Sequence, residues 1–152
     1  MRKCCIVLLL LALVVTACDD KKRYDVFRHA PIDGWDRNDT LVFDIPTFDE
    51  SGTFDVLVHL RITNAFPLQN LVLNTKIETY PTHKMLTDTL HCALFNQNGR
   101  AIEQGVGFAQ YTFPLKSLTI AQGDSLRIGV WHPMKRAVLQ GISDVGIEIR
   151  KR

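Results

Sequence analysis

Phe54-Asp55-Val56-Leu57-Val58-His59-Leu60-Arg61-Ile62-Thr63 sets an apolar side chain at every second position. Phe54, Val56, Val58, Leu60 and Ile62 share one parity; Asp55, Leu57, His59, Arg61 and Thr63 share the other. Side chains on a strand alternate between its faces, so this stretch reads as a half-buried β-strand turned to a core on one side. A strand buried on both faces in a parallel sheet would be apolar at both parities, which this one is not.

The same period recurs downstream. Leu71, Leu73, Thr75 and Ile77 alternate with Val72, Asn74, Lys76 and Glu78. Leu90, Cys92 and Leu94 share a face, as do Leu126, Ile128 and Val130, and again Val145, Ile147 and Ile149. Leu41 to Ile45 and Phe108 to Phe113 are weaker candidates. Turn pairs punctuate the runs at Asp33-Gly34, Ser51-Gly52, Asn98-Gly99 and Gly123-Asp124. No window shows a sustained helical face with caps, and Lys135 to Leu139 is expected to make one helical turn at most. Seven or eight short-linked strands predict an all-β, antiparallel sandwich of jelly-roll type.

The chain begins differently. Arg2 and Lys3 precede an unbroken apolar run from Ile6 to Val15, followed by Thr16-Ala17-Cys18. The run is too short to span a bilayer as a helix, which takes roughly 20 residues, and its layout is that of a signal peptide. Leu13-Val14-Val15-Thr16-Ala17-Cys18 is a lipobox, so the expected mature protein starts at an acylated Cys18. Two or more acyl chains hold a protein durably, because each buried methylene contributes about 0.8 kcal/mol. The expected organisation is a signal peptide over 1–17, a charged tether over 18–23 and one β-sandwich domain over 24–152.

Removing 1–17 takes Arg2 and Lys3 from the 18 basic residues and nothing from the 16 acidic ones. The mature chain is therefore balanced and lacks the basic excess that nucleic-acid binding requires. Cys4 and Cys5 leave with the signal and Cys18 is acylated, so Cys92 is the one remaining thiol. No disulfide can form within the mature chain; burial must hold the fold. Sharing parity with Leu90 and Leu94, Cys92 reads as an inert core thiol.

Several strings occur together: Arg61-Ile62-Thr63-Asn64-Ala65-Phe66-Pro67-Leu68-Gln69-Asn70-Leu71, Asp88-Thr89-Leu90, Asn98-Gly99-Arg100 and Gly105-Val106-Gly107. Met134-Lys135-Arg136 then leads into Leu139-Gln140-Gly141-Ile142-Ser143-Asp144-Val145-Gly146-Ile147. With the lipobox ahead of them, they make the chain resemble the gliding motility lipoprotein GldH family of Bacteroidota. The resemblance implies an outer-membrane lipoprotein, on the periplasmic or the surface side, associated with the gliding apparatus and type IX secretion. It carries over no catalytic residue. Asp19-Asp20, just after the lipidation cysteine, partly matches the acidic start of surface-exported lipoproteins in such bacteria, although Lys21-Lys22-Arg23 follows at once.

Site chemistry is sparse. His29, His59, His83, His91 and His132 show no metal-ligand spacing, so neither a metal nor a cofactor is expected. Gly105-Val106-Gly107 lacks the strand-turn-helix setting of a dinucleotide site, and no serine sits in a nucleophile elbow. Around Phe66-Pro67, asparagines bonding the turn backbone are the plainer account; a loop offering Phe66 and Gln69 to a partner is the functional one. Gly141 and Gly146 point to positive φ or close strand approach, and Asp144 to a turn cap.

Strand parity supplies the best surface candidate. His59, Arg61, Asn74, Lys76, Arg127, Trp131 and Glu148 all lie opposite core positions. On one shared sheet they would form a face able to grip an envelope protein or to stack a glycan on Trp131; ordinary solvated surface is the plainer reading. The expectation is a non-enzymatic, lipid-anchored envelope component, with a glycan-binding surface lipoprotein as its rival and a hydrolase a distant third.

Overall fold

The computed structural model describes residues 21–96, 98–103 and 105–152. The signal segment 1–17, Cys18 and the first tether residues lie outside the described residues. Ten strands follow one another: β1 Lys22–His29, β2 Trp35–Asp36, β3 Leu41–Ile45, β4 Gly52–Ile62 and β5 Asn70–Tyr80, then β6 Lys84–Ala93, β7 Ala109–Ile120, β8 Ser125–Trp131, β9 Val138–Leu139 and β10 Ile142–Lys151. No helix occurs among the described residues, so none there is long and apolar enough to cross a membrane.

The eight longer strands form two four-stranded antiparallel sheets, ordered β1-β10-β4-β7 and β3-β8-β5-β6. Within them the first strand pairs with the last (β1 with β10), then β3 with β8, β4 with β7 and β5 with β6. A single antiparallel ribbon, closed by the turn between β5 and β6, is thus wrapped into a sandwich. That is the jelly-roll connection expected from the strand pattern. The short pair β2·β9 carries the ribbon from one sheet to the other.

β4 lies at the centre of the first sheet, between β10 and β7. Its Phe54, Val56, Val58, Leu60 and Ile62 are all buried and face Leu71, Leu73, Ile77, Leu126, Ile128 and Val130 of the other sheet within one core. Trp35 on β2 plugs the crossing, fully buried, with its indole N–H donating to the Asp39 carbonyl at 3.0 Å. Cys92 points inward on β6, and burial pushes its thiol up to about 12, as suits an inert core residue.

Local departures have local causes. β1 starts at Lys22, two residues inside the expected tether, because Lys22 pairs with Arg150 and the Lys151 N–H donates to the Lys21 carbonyl. β7 runs on past Phe113 through Pro114 to Ile120. Proline belongs on an edge strand or at a bulge, and Pro114 has both settings: β7 is an edge, and its register against β4 shifts between Val56 and Leu57. The helical turn expected over Lys135 to Leu139 is absent. Val138 and Leu139 are strand instead, paired to Asp36 and Trp35, because Leu139 is needed in the core. Gly141 has φ +84°, and a Cβ there would come within 2.2 Å of the Phe66 backbone nitrogen, so only glycine fits.

Leu60→Ala should lower unfolding stability by about 3 kcal/mol in urea titration, since Leu60 is wholly enclosed. Val42→Ala, on the outer face of β3, should change it by less than about 0.5 kcal/mol.

Candidate functional site

The outward-facing candidates divide between the two sheets. His59, Arg61 and Glu148 lie on the outer side of β1-β10-β4-β7, whereas Asn74, Lys76, Arg127 and Trp131 lie on the outer side of β3-β8-β5-β6. The single seven-residue face is therefore corrected to two faces on opposite sides of the molecule. The reason is topological: consecutive long strands of the ribbon often switch sheets, which parity within one strand does not report.

On the first sheet His59 is not a solvent-facing donor. It is 6% exposed, and Glu148 on the neighbouring β10 is 3% exposed. His59 Nε2 donates to Glu148 Oε2 at 2.8 Å, and in that tautomer Nδ1 accepts from the Thr112 hydroxyl at 2.9 Å. Phe27 of β1 lies over Gly146 and stacks on the imidazole at 5.6 Å between centroids. The Arg61 guanidinium in turn covers Phe27 at 3.9 Å from the ring centre. Gly146 makes this possible, because a Cβ there would come within 2.8 Å of the Phe27 ring.

Asp25, His59 and Glu148 bring three metal-capable atoms within 4.8 Å of one another. Sequence spacing misses this cluster because it joins three strands. Lys22 Nζ lies 2.8 Å from Asp25 Oδ2 and 3.6 Å from Glu148 Oε2, and Arg150 also binds Glu148. The positive charge at this centre is thus supplied by an ammonium and a guanidinium, and the cluster serves to join β1, β4 and β10. Burial pushes the Glu148 carboxyl up, but hydrogen bonds from Arg150 and His59, with the charges of Arg150 and Lys22, outweigh it and hold it below the ordinary value.

The second face is an open grid. Across β3, β8, β5 and β6 the register gives a row of Trp131, Asn74 and Thr89, then Val42, Gly129, Lys76 and Thr87, then Asp44, Arg127, Glu78 and Met85. Gly129 leaves a gap between Trp131 and Arg127. The resulting hollow, about 220 Å³, is floored by Gly129 and walled by Val42, Lys76, Arg127 and Trp131. A second, about 470 Å³, lies beyond Trp131 against Asn74, Thr87 and Thr89. Arg127 Nε donates to Asp44 at 2.6 Å, and Thr89 Oγ1 to Asn74 Oδ1 at 3.0 Å.

Phe66 is not presented to solvent. It is 5% exposed, because the chain doubles back after β4 (Phe66 N–H to the Thr63 carbonyl, 3.1 Å) and drives the ring into the core. Gln69 is exposed as expected. The turn uses the Thr63 hydroxyl, which accepts from the Ala65 N–H at 3.3 Å. Asp144 caps no turn; it lies buried in β10, where the Ser143 hydroxyl donates to it at 2.6 Å and His29 Nδ1 touches its other oxygen. Ser143 and His29 thus approach the same carboxylate from either side, which is not the serine–imidazole–acid order of a catalytic triad.

The two ends of the sandwich differ. Lys21, the Ser51 and Gly123 connections, the β5–β6 turn and Arg152 gather at one pole, tied by Glu50 to Arg23 and Lys151. The other pole carries the 30–34, 63–69 and 132–141 connections, the described residues 94–96, 98–103 and 105–108, and a hollow of about 670 Å³ between His29, Ile32, Ala65 and Gly141. Five of the seven exposed large apolar side chains among the described residues are there: Ile32, Ile102, Val106, Phe108 and Val138.

The lowered Glu148 value sets a sign. Its contribution is present above the unfolded carboxylate pKa, about 4.3, and is lost as pH falls through the folded value. Glu148→Gln should therefore cost about 2 kcal/mol at pH 7 in chemical denaturation. Its difference from the wild type should shrink as the pH is taken below about 4.

Two curated relatives span nearly the whole chain. The gliding motility lipoprotein GldH of Flavobacterium johnsoniae is 25% identical over 153 residues, covering 96% of this chain and 95% of its own. A GldH homolog of Christiangramia forsetii is 24% identical over 150 residues, covering 91% and 90%. Among solved structures the chain is similar to the globular domain of zebrafish complement 1qA (TM-score 0.43, 14% identity, 87% of this chain and 97% of that one). It is also similar to CBM35 of Cellvibrio japonicus Abf62 (0.37, 12%, 84% and 97%). Both likenesses are too loose to bear on function. The GldH lipoprotein model matches residues 22–149, from the first residue of β1 to near the end of β10, and the chain belongs to that family.

Proposed function

We propose that this protein is a lipid-anchored, non-catalytic component of the outer membrane and acts in the gliding motility for which its relatives are named. Acylated Cys18 would hold it to the membrane, and an envelope protein partner would engage the pole remote from that anchor.

One observation carries this reading: the opposition of the two poles. The described chain enters the fold at Lys21, three residues after Cys18. Three residues reach at most about 10 Å, which would keep the Lys21 pole close to the bilayer surface. The exposed apolar side chains cluster at the other end. Tethering confines a protein beside its partner and raises effective concentration without adding contacts, so an interface of a few such side chains would suffice.

Cys18→Ala should move the protein from the membrane to the soluble fraction and abolish function in cells, with the melting temperature of the domain unchanged. Membrane retention of that variant would contradict the proposal. Ile32→Asp with Val106→Asp should leave anchoring and melting intact while removing in-cell crosslinks to the partner.

A further inference from the structure

The outer face of β3-β8-β5-β6 plays no part in the reading above, and its design is unlike that of the other sheet. There His59 and Glu148 are buried at the centre, and a cross-strand network ties them to Thr112, Lys22 and Arg150. Here Trp131 stands half-exposed between two hollows, and its indole N–H has no partner among the described residues. Lys76 beside it has no salt-bridge partner among the described residues.

We propose that this face is a glycan-binding cleft for a neutral pyranose chain, with Trp131 as its stacking platform and the Gly129 gap as its floor. A pyranose presents one apolar C–H face, which packs on an aromatic ring, and a rim of hydroxyls that need hydrogen-bond partners. Trp131 offers the ring and an unused donor. Asn74, Thr87 and Thr89 on one side, with Lys76, Glu78 and Arg127 on the other, offer donors and acceptors in both hollows. The hollows open on opposite sides of the indole, which suits a chain running past it rather than an enclosed small molecule.

Charge selects the class of ligand. Lys76 and Arg127 are matched in number by Asp44 and Glu78, which flank Arg127 on its row, so the face has no surplus cation for a phosphate backbone or an acidic polysaccharide. A protein partner would need an apolar centre in its interface. The exposed apolar side chains of this face, Val42 and Met85, sit instead on its two edge strands, β3 and β6.

The two tryptophans supply the readout, because Trp35 is fully buried and Trp131 is accessible. The full-length lipoprotein, in an amine-oxide detergent free of sugar, would be titrated with cellohexaose, mannohexaose, xylohexaose and N-acetylchitohexaose at millimolar concentration. At least one should give a saturable blue shift and protect Trp131 from acrylamide quenching. Trp131→Ala should weaken binding to that sugar at least about tenfold, measured by calorimetry. Gly129→Val should do the same with Trp131 in place; Gly129 has ordinary strand geometry, and an added Cβ meets only the Thr40 methyl, at 3.1 Å. The proposal fails if none of the four sugars binds, or if binding survives either substitution. It fails equally if a photo-crosslinker at position 131 traps an envelope protein in cells while no sugar has any effect.

Discussion

The pairing of each strand with its counterpart across the β5–β6 turn governs this domain. Once β1 is bonded to β10, β3 to β8, β4 to β7 and β5 to β6, the ribbon has one way to bury its inward parity, which is to fold over on itself. Core, poles and faces follow. Phe54 to Ile62 meets the inward residues of β5 and β8, and four connections are gathered at the pole away from Lys21. A one-residue slip of β4 would exchange Leu60 for Arg61 on the core side, at a cost the fold could not carry.

The same register explains why the two outer faces differ. On the β1-β10-β4-β7 side it sets His59 opposite Gly146 and Leu57 opposite Glu148. The missing side chain at Gly146 admits the Phe27 ring, which seals the His59–Glu148 bond from water. A hydrogen bond to a carboxylate in such a place is stronger than one at the surface, and it leaves few groups free for a ligand. On the β3-β8-β5-β6 side a glycine again lies in the middle of the sheet, but no aromatic ring folds over Gly129. Its place stays open, bounded by Trp131 and Arg127. Two glycines on two central strands thus produce a sealed face and an accessible one.

Much of the fold was legible as alternation. The runs in β4, β5, β8 and β10 are apolar at one parity over several positions, and each lies in the structure where the pattern put it. β1 was not legible, because Phe27 on its outer parity covers Gly146 rather than facing solvent, so its faces do not separate by polarity. The second half of β7 was hidden by Pro114, whose tolerance depends on an edge and a bulge that only the assembled sheet supplies. The candidate face was legible in part. Parity turned Asn74, Lys76, Arg127 and Trp131 to one side, while the partition of His59 and Arg61 onto another sheet depends on long-range pairing. The burial of Phe66 was not legible, because a single residue in a turn has no period to reveal it.

Backbone Overhauser contacts across the ribbon test this account most directly. The structure predicts interstrand contacts of Val58 with both Ile147 and Phe113, of Val26 with Ile147, and of Ile77 with both Leu86 and Ile128. A β4 whose neighbours are any strands other than β10 and β7, or a register displaced by one residue, would contradict it.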